Sequence, residues 1–182
     1  MKTDELITMI SNQAGPAPKV SVANRLVPAG VVGGLIAAAI VLGVLGLIPG
    51  EMFSEPGPWI KIGYASTLTI AAGWLFTRLG KPGASDKQAT SAVVGVVLLM
   101  LMAGVLSYLG TPASERAAAL LGHSWLVCPW AILGLSLPVM AGSFWAMRGF
   151  APTKLISAGT ACGLFSGSLA ALAYALACTE PA

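Results

Sequence analysis

The sequence predicts an all-α protein, a polytopic bundle of transmembrane helices, and three observations support this fold class. Hydrophobic residues make up 56% of the 182 residues and charged residues only 9%, whereas soluble domains carry roughly 25% charged residues. Apolar stretches recur along the chain, each close to the ~20 residues that cross a bilayer. Short polar linkers separate these stretches. We therefore expect a membrane-embedded domain with a short segment before it.

Five predicted spans cover most of the chain and divide it into two regions. Residues 1–26 form a cytoplasmic amino-terminal segment, and residues 27–182 form the transmembrane domain. An odd number of spans leaves the two ends of the chain on opposite sides of the membrane. The spans run over about 27–48, 59–80, 91–110, 125–147 and 154–177.

The amino-terminal segment contains a predicted short amphipathic helix over 3–13. Asp4 and Glu5 lie in its first turn, where the helix dipole favours negative charge. A narrow apolar stripe follows, which suits either the membrane surface or a protein partner, and both interpretations stay open. The residues of this stripe are Leu6, Ile7 and Ile10.

The distribution of cations predicts the orientation in the membrane. With the amino terminus in the cytoplasm, eight of the ten Lys and Arg residues fall on the inner side and two on the outer side. Short cytoplasmic loops of membrane proteins carry such an excess of cations. We therefore expect a multi-pass membrane protein with its amino terminus in the cytoplasm. The inner cations are Lys2, Lys19, Arg25, Arg78, Lys81, Lys87, Arg148 and Lys154, and the outer ones are Lys61 and Arg116.

Several function classes are disfavoured by composition and motifs. The net charge of +3 is weak evidence for nucleic-acid binding, and we expect none. The sequence contains no phosphate-binding loop, zinc-protease motif or catalytic triad pattern, so we predict neither an enzyme nor a resident cofactor. No ionisable residue is predicted near the middle of a span, which argues against a proton-coupled pump. A small transporter or permease subunit for a metal or a hydrophobic solute remains the alternative.

Two of the three cysteines are predicted at the outer ends of neighbouring spans. Cys128 and Cys178 lie at the same depth on helices joined by a tight hairpin, so the two thiols can meet. Thiolates react with oxidants and bind soft metal ions. The pair therefore suggests redox or metal sensing, while a structural disulfide or no special role remain open. His123 and Glu180 lie on the same side and could complete a transient soft-metal site.

Small residues recur every fourth position in the fifth span, at Gly159, Gly163 and Gly167. This spacing puts them on one face of a helix. In a membrane such a stripe lets another backbone come close, so we expect tight helix packing there. The same packing is expected in the first span at Gly30, Gly33, Gly34, Gly43 and Gly46.

Two further residues of the spans have structural interpretations. Cys162 lies inside the fifth span, far from the outer pair, and we interpret it as a small packing residue. Pro138 lies inside the fourth span, where it removes a backbone hydrogen bond and predicts a kink. That kink would serve either as a fixed bend or as a hinge below Cys128.

Several segments together resemble one known family. They are MKTDELI at the start, the region around Cys128, Ser136–Pro138, Arg148–Thr153, Ala158–Leu164 and Leu169–Pro181. These segments are similar to those of the NrsF family of bacterial inner-membrane anti-sigma factors. The resemblance implies a six-helix membrane protein that binds an extracytoplasmic-function sigma factor at the cytoplasmic face. It further implies release of that sigma factor under heavy-metal or oxidative stress, sensed at Cys128 and Cys178, and a sixth span missing from this sequence.

Overall fold

A computed structural model describes residues 3–13, 22–81, 83–117, 122, 125–148, 150 and 152–178. Within these ranges the regular secondary structure is entirely helical, which confirms the all-α prediction. A π-helical turn over Val41–Leu45 extends the second helix, and a short 3-10 helix over Gly50–Ser54 precedes the third. The helices are α1 (Thr3–Gln13), α2 (Val22–Ile40), α3 (Pro56–Leu79), α4 (Lys87–Gly110), α5 (Cys128–Met147) and α6 (Leu155–Ala175).

Among the described residues, four helical segments are long and apolar enough to cross a membrane: α2 with its π-turn, α4, α5 and α6. They correspond to four of the five predicted spans. The remaining prediction, 59–80, coincides with α3, which has 24 residues but contains Lys61 and Arg78. That α3 crosses the membrane stays a prediction. Helix α2 begins at Val22 rather than at 27, so the predicted division after residue 26 falls inside a helix.

Helix α6 lies at the centre of the bundle. It packs mainly against α3 and α5 and more lightly against α2, whereas α4 packs against α3 at the periphery. Ten residues of α6 are buried, compared with two of α4. The bundle core is therefore built mainly from α2, α3, α5 and α6, and α4 adds Ala89 and Val93.

The ring of Phe165 on α6 fills the space between α2 and α3. It stacks on Phe76 with 6.5 Å between ring centroids. A Cβ atom added at Gly30 would lie 2.9 Å from the ring, and one added at Gly73 would lie 3.3 Å from it. Glycine on both neighbouring helices therefore makes room for this aromatic side chain.

Helices α2 and α5 approach each other closely at Gly33. A Cβ atom there would lie 2.7 Å from the Cα atom of Val139, which is closer than packed side chains allow. On α5, a Cβ atom at Gly142 would lie 3.2 Å from the carbonyl oxygen of Ala29. This is the close backbone contact that small residues permit in membrane bundles, and at Gly33 it lies where the sequence predicts it. The prediction is wrong for Gly43 and Gly46, where a Cβ atom would meet no atom within 4 Å in the described part of the chain.

The glycine stripe of α6 does not make the expected contact. Gly159 and Gly163 are exposed, and a Cβ atom at either of them or at Gly167 would meet no atom within 4 Å in the described part of the chain. The bundle instead covers the face that carries Ala161 and Phe165. Because lipid tails are as apolar as the bundle interior, spacing identifies a face of small residues but not the side on which neighbours lie. Within the described chain these glycines pack against no neighbouring helix, and their packing role stays a prediction.

Helix α5 continues through Pro138 without interruption, so the missing hydrogen bond does not end it. Beside this proline an apolar cavity of about 250 Å³ opens between α2 and α5. Its lining residues are Pro28, Ala29, Val32, Gly33, Ile36, Pro138, Gly142 and Trp145.

The antiparallel helices give the bundle two chemically different ends. At one end, a core cluster joins the start of α2, the end of α3 and the start of α6 through Leu26, Leu79 and Ala158. We call this the basic end, because Arg25, Arg78, Lys81, Lys87, Arg148 and Lys154 lie at or beside these helix termini. At the other end, a second cluster contains Val41 and Tyr174 and packs against Cys128 and Cys178. We call this the thiol end.

Candidate functional site

Cys128 is the first residue of α5. Pro129 follows it in the first turn, where a missing N–H is tolerated because that group has no partner within the helix. The half-buried Cys128 sulfur shares a hydrogen bond of 3.2 Å with the hydroxyl oxygen of Tyr174. Tyr174 lies in the last turn of α6 and is 8% exposed. The thiol is thus fixed to a buried phenol on the neighbouring helix.

Cys178 follows the turn that ends α6, and it is also half-buried. The Nζ atom of Lys61, in the second turn of α3, donates to its sulfur over 3.7 Å. Two residues earlier, the carbonyl of Leu176 accepts a hydrogen bond of 3.2 Å from the backbone N–H of Ile48. The segment with Cys178 is therefore contacted by α3 and by the chain that leaves α2.

Both outer thiols rest on one apolar cluster at the thiol end. Cys128 and Cys178 each pack against it, and neither forms a disulfide. The buried members of the cluster are Ala37, Val41, Leu135, Ala170, Ala173 and Tyr174. A reaction at either sulfur therefore acts on a contact shared by α2, α5 and α6.

Comparison with known proteins identifies the family. The profile described as "NrsF: Negative regulator of sigma F" matches residues 10–182. The chain belongs to the NrsF family. It is 36% identical over 185 residues to the "Anti-sigma-F factor NrsF" of Caulobacter vibrioides, covering 99% of this chain and 86% of that protein. It is 35% identical over 184 residues to the "Probable anti-sigma-F factor NrsF" of Azospira oryzae, covering 99% and 85%. No solved structure matches.

The two accessory metal ligands predicted for this NrsF-family chain cannot be placed. His123 and Glu180 both lie outside the described residues. Among the residues that are described, no group of three or more His, Cys, Asp or Glu side chains could hold a metal ion. Metal binding by Cys128 and Cys178 with these two residues stays a prediction.

Cys162 of this NrsF-family chain lies in the bundle interior, between α5 and α6. It is 1% exposed, and the hydroxyl groups of Ser143 and Ser166 lie beside its thiol. Along a helix rising 1.5 Å per residue, it lies roughly 24 Å from Cys178. This position fits the packing role predicted from the sequence and separates Cys162 from the thiol end.

The predicted partner-binding stripe lies on α1. Ile7 is 59% exposed, and Met9 on the same helix is 51% exposed. The side chains of Leu6 and Ile10 lie outside the described residues. The surface of α1 therefore offers at least two large apolar side chains, and their partner stays a prediction.

Sequence reasoning missed two residues of the thiol end, Tyr174 and Lys61. Tyr174 lies four residues before Cys178, a spacing that puts two residues on one face of a helical turn. For Lys61 the sequence pattern predicts only a position on the outer side of the membrane. A cation near the outer start of a span, level with two predicted thiols, was the available signal.

Proposed function

We propose that this chain is a membrane-bound anti-sigma factor that holds an extracytoplasmic-function sigma factor at the cytoplasmic face. Heavy-metal or oxidative stress acts on Cys128 and Cys178 at the periplasmic face and releases the sigma factor. Membership of the NrsF family supports the sigma factor as partner. The observation that carries the release mechanism is that both thiols pack on one cluster joining three helices.

The charge asymmetry supports the proposed orientation. The described cations lie mainly at the basic end, whereas Lys61 and Arg116 lie toward the other. Cations concentrate on the cytoplasmic side of inner-membrane proteins. The thiol end then faces the oxidising periplasm, where metal ions and oxidants reach it without crossing the membrane.

The proposed switch is a change in packing between α5 and α6. A soft metal ion would draw both sulfurs together as thiolate ligands, with loss of their protons. An oxidant would instead accept two electrons and leave a disulfide. Either event competes with the hydrogen bonds from Tyr174 and Lys61. A ligand that binds one packing about 10⁴-fold more tightly than the other inverts a 1:99 population.

The release mechanism is tested by replacing both outer cysteines. Purified Cys128→Ser/Cys178→Ser protein should capture the sigma factor like wild type but should fail to release it when cadmium or an oxidant is added. Cys162→Ser is the matched control, because it removes a thiol from the bundle interior and should leave release intact. Release without any stressor from the double variant would contradict a sensing role for the pair.

The sigma-binding surface is tested separately. We propose that α1 binds the sigma factor through Leu6, Ile7 and Ile10. Deletion of residues 1–14 should then abolish capture of the sigma factor while the rest of the bundle keeps its melting temperature. Retained capture would move the interface to the loops of the basic end.

A further inference from the structure

A polar cavity at the basic end is distinct from the thiol site. It has a volume of about 250 Å³ and lies between the α3–α4 loop and the segment before α6. This is roughly the volume of eight water molecules in the liquid. Its lining residues are Arg78, Leu79, Lys81, Gly83, Ala84, Asp86, Thr153 and Lys154.

The cavity carries a net positive charge. Asp86 accepts two hydrogen bonds, of 2.9 and 3.1 Å, from the ammonium group of Lys154. The Lys154 hydrogen bond, followed by a backbone hydrogen bond within Asp86, holds the pKa of the Asp86 carboxyl below its usual value. Asp86 therefore stays ionised at neutral pH and compensates Lys154. Arg78 and Lys81 contribute two further positive charges on the same lining.

The loop that forms one wall is held by its own backbone. The backbone N–H of Gly80 donates to the carbonyl oxygen of Phe76 over 3.0 Å, and the N–H of Lys81 donates to the carbonyl oxygen of Arg78 over 3.2 Å. The N–H of Ala84 donates to the carbonyl oxygen of Lys81 over 3.3 Å. These successive bonds fold the chain back directly after α3. Gly83 has a φ of 75°, which is strained for other residues. The cations of this wall are thus set on a folded loop.

The cavity lies at the level where a lipid headgroup is expected. Arg78 lies over the ring of Trp74 with 6.0 Å to the ring centroid, and Trp74 is 39% exposed on α3. Exposed tryptophans concentrate at the membrane–water interface. Basic pockets between transmembrane helices on the cytoplasmic side bind phosphate-bearing headgroups.

We propose that this cavity binds the phosphate group of an anionic phospholipid from the surrounding leaflet. Arg78 and Lys81 contact the phosphate, and the Lys154–Asp86 pair closes the opposite wall. A helix is about 10 Å across and does not enter a space of this size, whereas a phosphodiester does. The inference depends on the membrane embedding of the chain and not on sigma-factor binding.

The test is lipid binding by the full-length protein in detergent, counted by native mass spectrometry. Phosphatidylglycerol and phosphatidylcholine with the same acyl chains are the two probes. Each cation that contacts the phosphate in the cavity is expected to contribute about a fivefold change in affinity for the headgroup bound there. Wild type should prefer phosphatidylglycerol, and Arg78→Gln/Lys81→Gln should bind it roughly thirtyfold more weakly. Binding of both lipids equally by wild type would overturn the proposal.

A matched control separates a site from general surface charge. Arg25→Gln/Arg148→Gln changes the net charge by the same amount, from +3 to +1, outside the cavity lining, and should bind phosphatidylglycerol like wild type. Equal losses in both double variants would overturn the proposal. Asp86→Asn removes one negative charge from the cavity lining. This variant should bind the lipid about fivefold more tightly, a gain that misfolding would not produce.

Two further outcomes would reassign the cavity. Inorganic phosphate at the concentration of the lipid should leave phosphatidylglycerol bound, and displacement would assign the site to a free anion. Capture of the sigma factor should be unchanged in Arg78→Gln/Lys81→Gln. If this double variant bound phosphatidylglycerol normally but no longer captured the sigma factor, the cavity would be assigned to an acidic segment of the protein partner.

Discussion

The hydroxyl oxygen of Tyr174 lies 3.2 Å from the sulfur of Cys128, and this contact joins the last turn of α6 to the first residue of α5. Tyr174 is also four residues from Cys178. One buried phenol thus lies between the two thiols along the chain and contacts one of them directly. The predictions below follow from this arrangement and from the packing beneath it.

Replacing Tyr174 by phenylalanine should slow the reaction of Cys128. The phenol can donate a hydrogen bond to the sulfur as it loses its proton, and the ring of phenylalanine keeps the packing but not the donor. A hydrogen bond of this kind contributes about 0.5–1.5 kcal/mol, so labelling by a membrane-impermeant maleimide should slow about two- to tenfold. The rate is measured on Cys178→Ser protein, so that the labelling at the thiol end is that of Cys128. An unchanged rate would mean that the phenol acts only by packing.

Lys61 should favour the reaction of Cys178 with anions. Its ammonium nitrogen lies 3.7 Å from the sulfur, and a unit charge at such a distance contributes about 1 kcal/mol in water. The ratio of alkylation rates with anionic iodoacetate and neutral iodoacetamide should therefore fall about fivefold in Lys61→Met. Lys61→Arg keeps the charge and should keep the ratio. Equal ratios in all three proteins would place the ammonium group away from the thiol in solution.

Gly33→Ala should destabilise the bundle. The new Cβ atom would lie 2.7 Å from the backbone of Val139, so α2 and α5 must separate, and overpacking of this kind costs about 1–3 kcal/mol. The matched control is Gly163→Ala, where the Cβ atom meets nothing within 4 Å of the described chain. It should be neutral or stabilising by up to about 1 kcal/mol. Thermal melting in detergent compares the two, and equal losses would show that the exposed stripe of α6 is covered in solution.

The Asp86–Lys154 ion pair should persist to low pH. Because the folded-state pKa of Asp86 is lowered from 3.8, its stabilising contribution is complete above that value. The contribution is lost as the pH falls through the lower, folded-state pKa. A carboxyl-carbon NMR titration should give a midpoint below 3.8 for wild type and a higher midpoint for Lys154→Met. Lys87→Met should move the midpoint less, since the charge of Lys87 lowers the pKa of this carboxyl less than the hydrogen bond from Lys154 does.

The sequence was sufficient for the helical architecture and for the ends on which charges and thiols lie. Apolar length and cation placement decide these features, and both are local properties of the chain. Cys128 and Cys178 could be assigned to one end because each lies at the terminus of a predicted span. Family membership was likewise recognisable from short segments and agrees with the profile match.

Which of the small residues meet a neighbouring helix could not be predicted from the sequence. Gly33 and Gly163 look alike as small residues at helical spacing, yet only Gly33 lies against a backbone. Helix rotation decides this difference, and a bilayer removes the hydropathy contrast that would reveal rotation in a soluble protein. For the same reason the sequence does not reveal the partners of the thiols, because the Tyr174–Cys128 contact depends on how α5 and α6 pack and the Lys61–Cys178 contact on how α3 and α6 pack.

The backbone hydrogen bond from Ile48 to Leu176 has a mechanical consequence. It fastens the chain that leaves α2 to the residue two positions before Cys178. A displacement of that cysteine must either break this hydrogen bond or move the segment that follows α2 with it. Because α2 is the described helix that follows α1 along the chain, the second outcome would couple a reaction at the thiol end to the helix next to the amino-terminal segment in sequence.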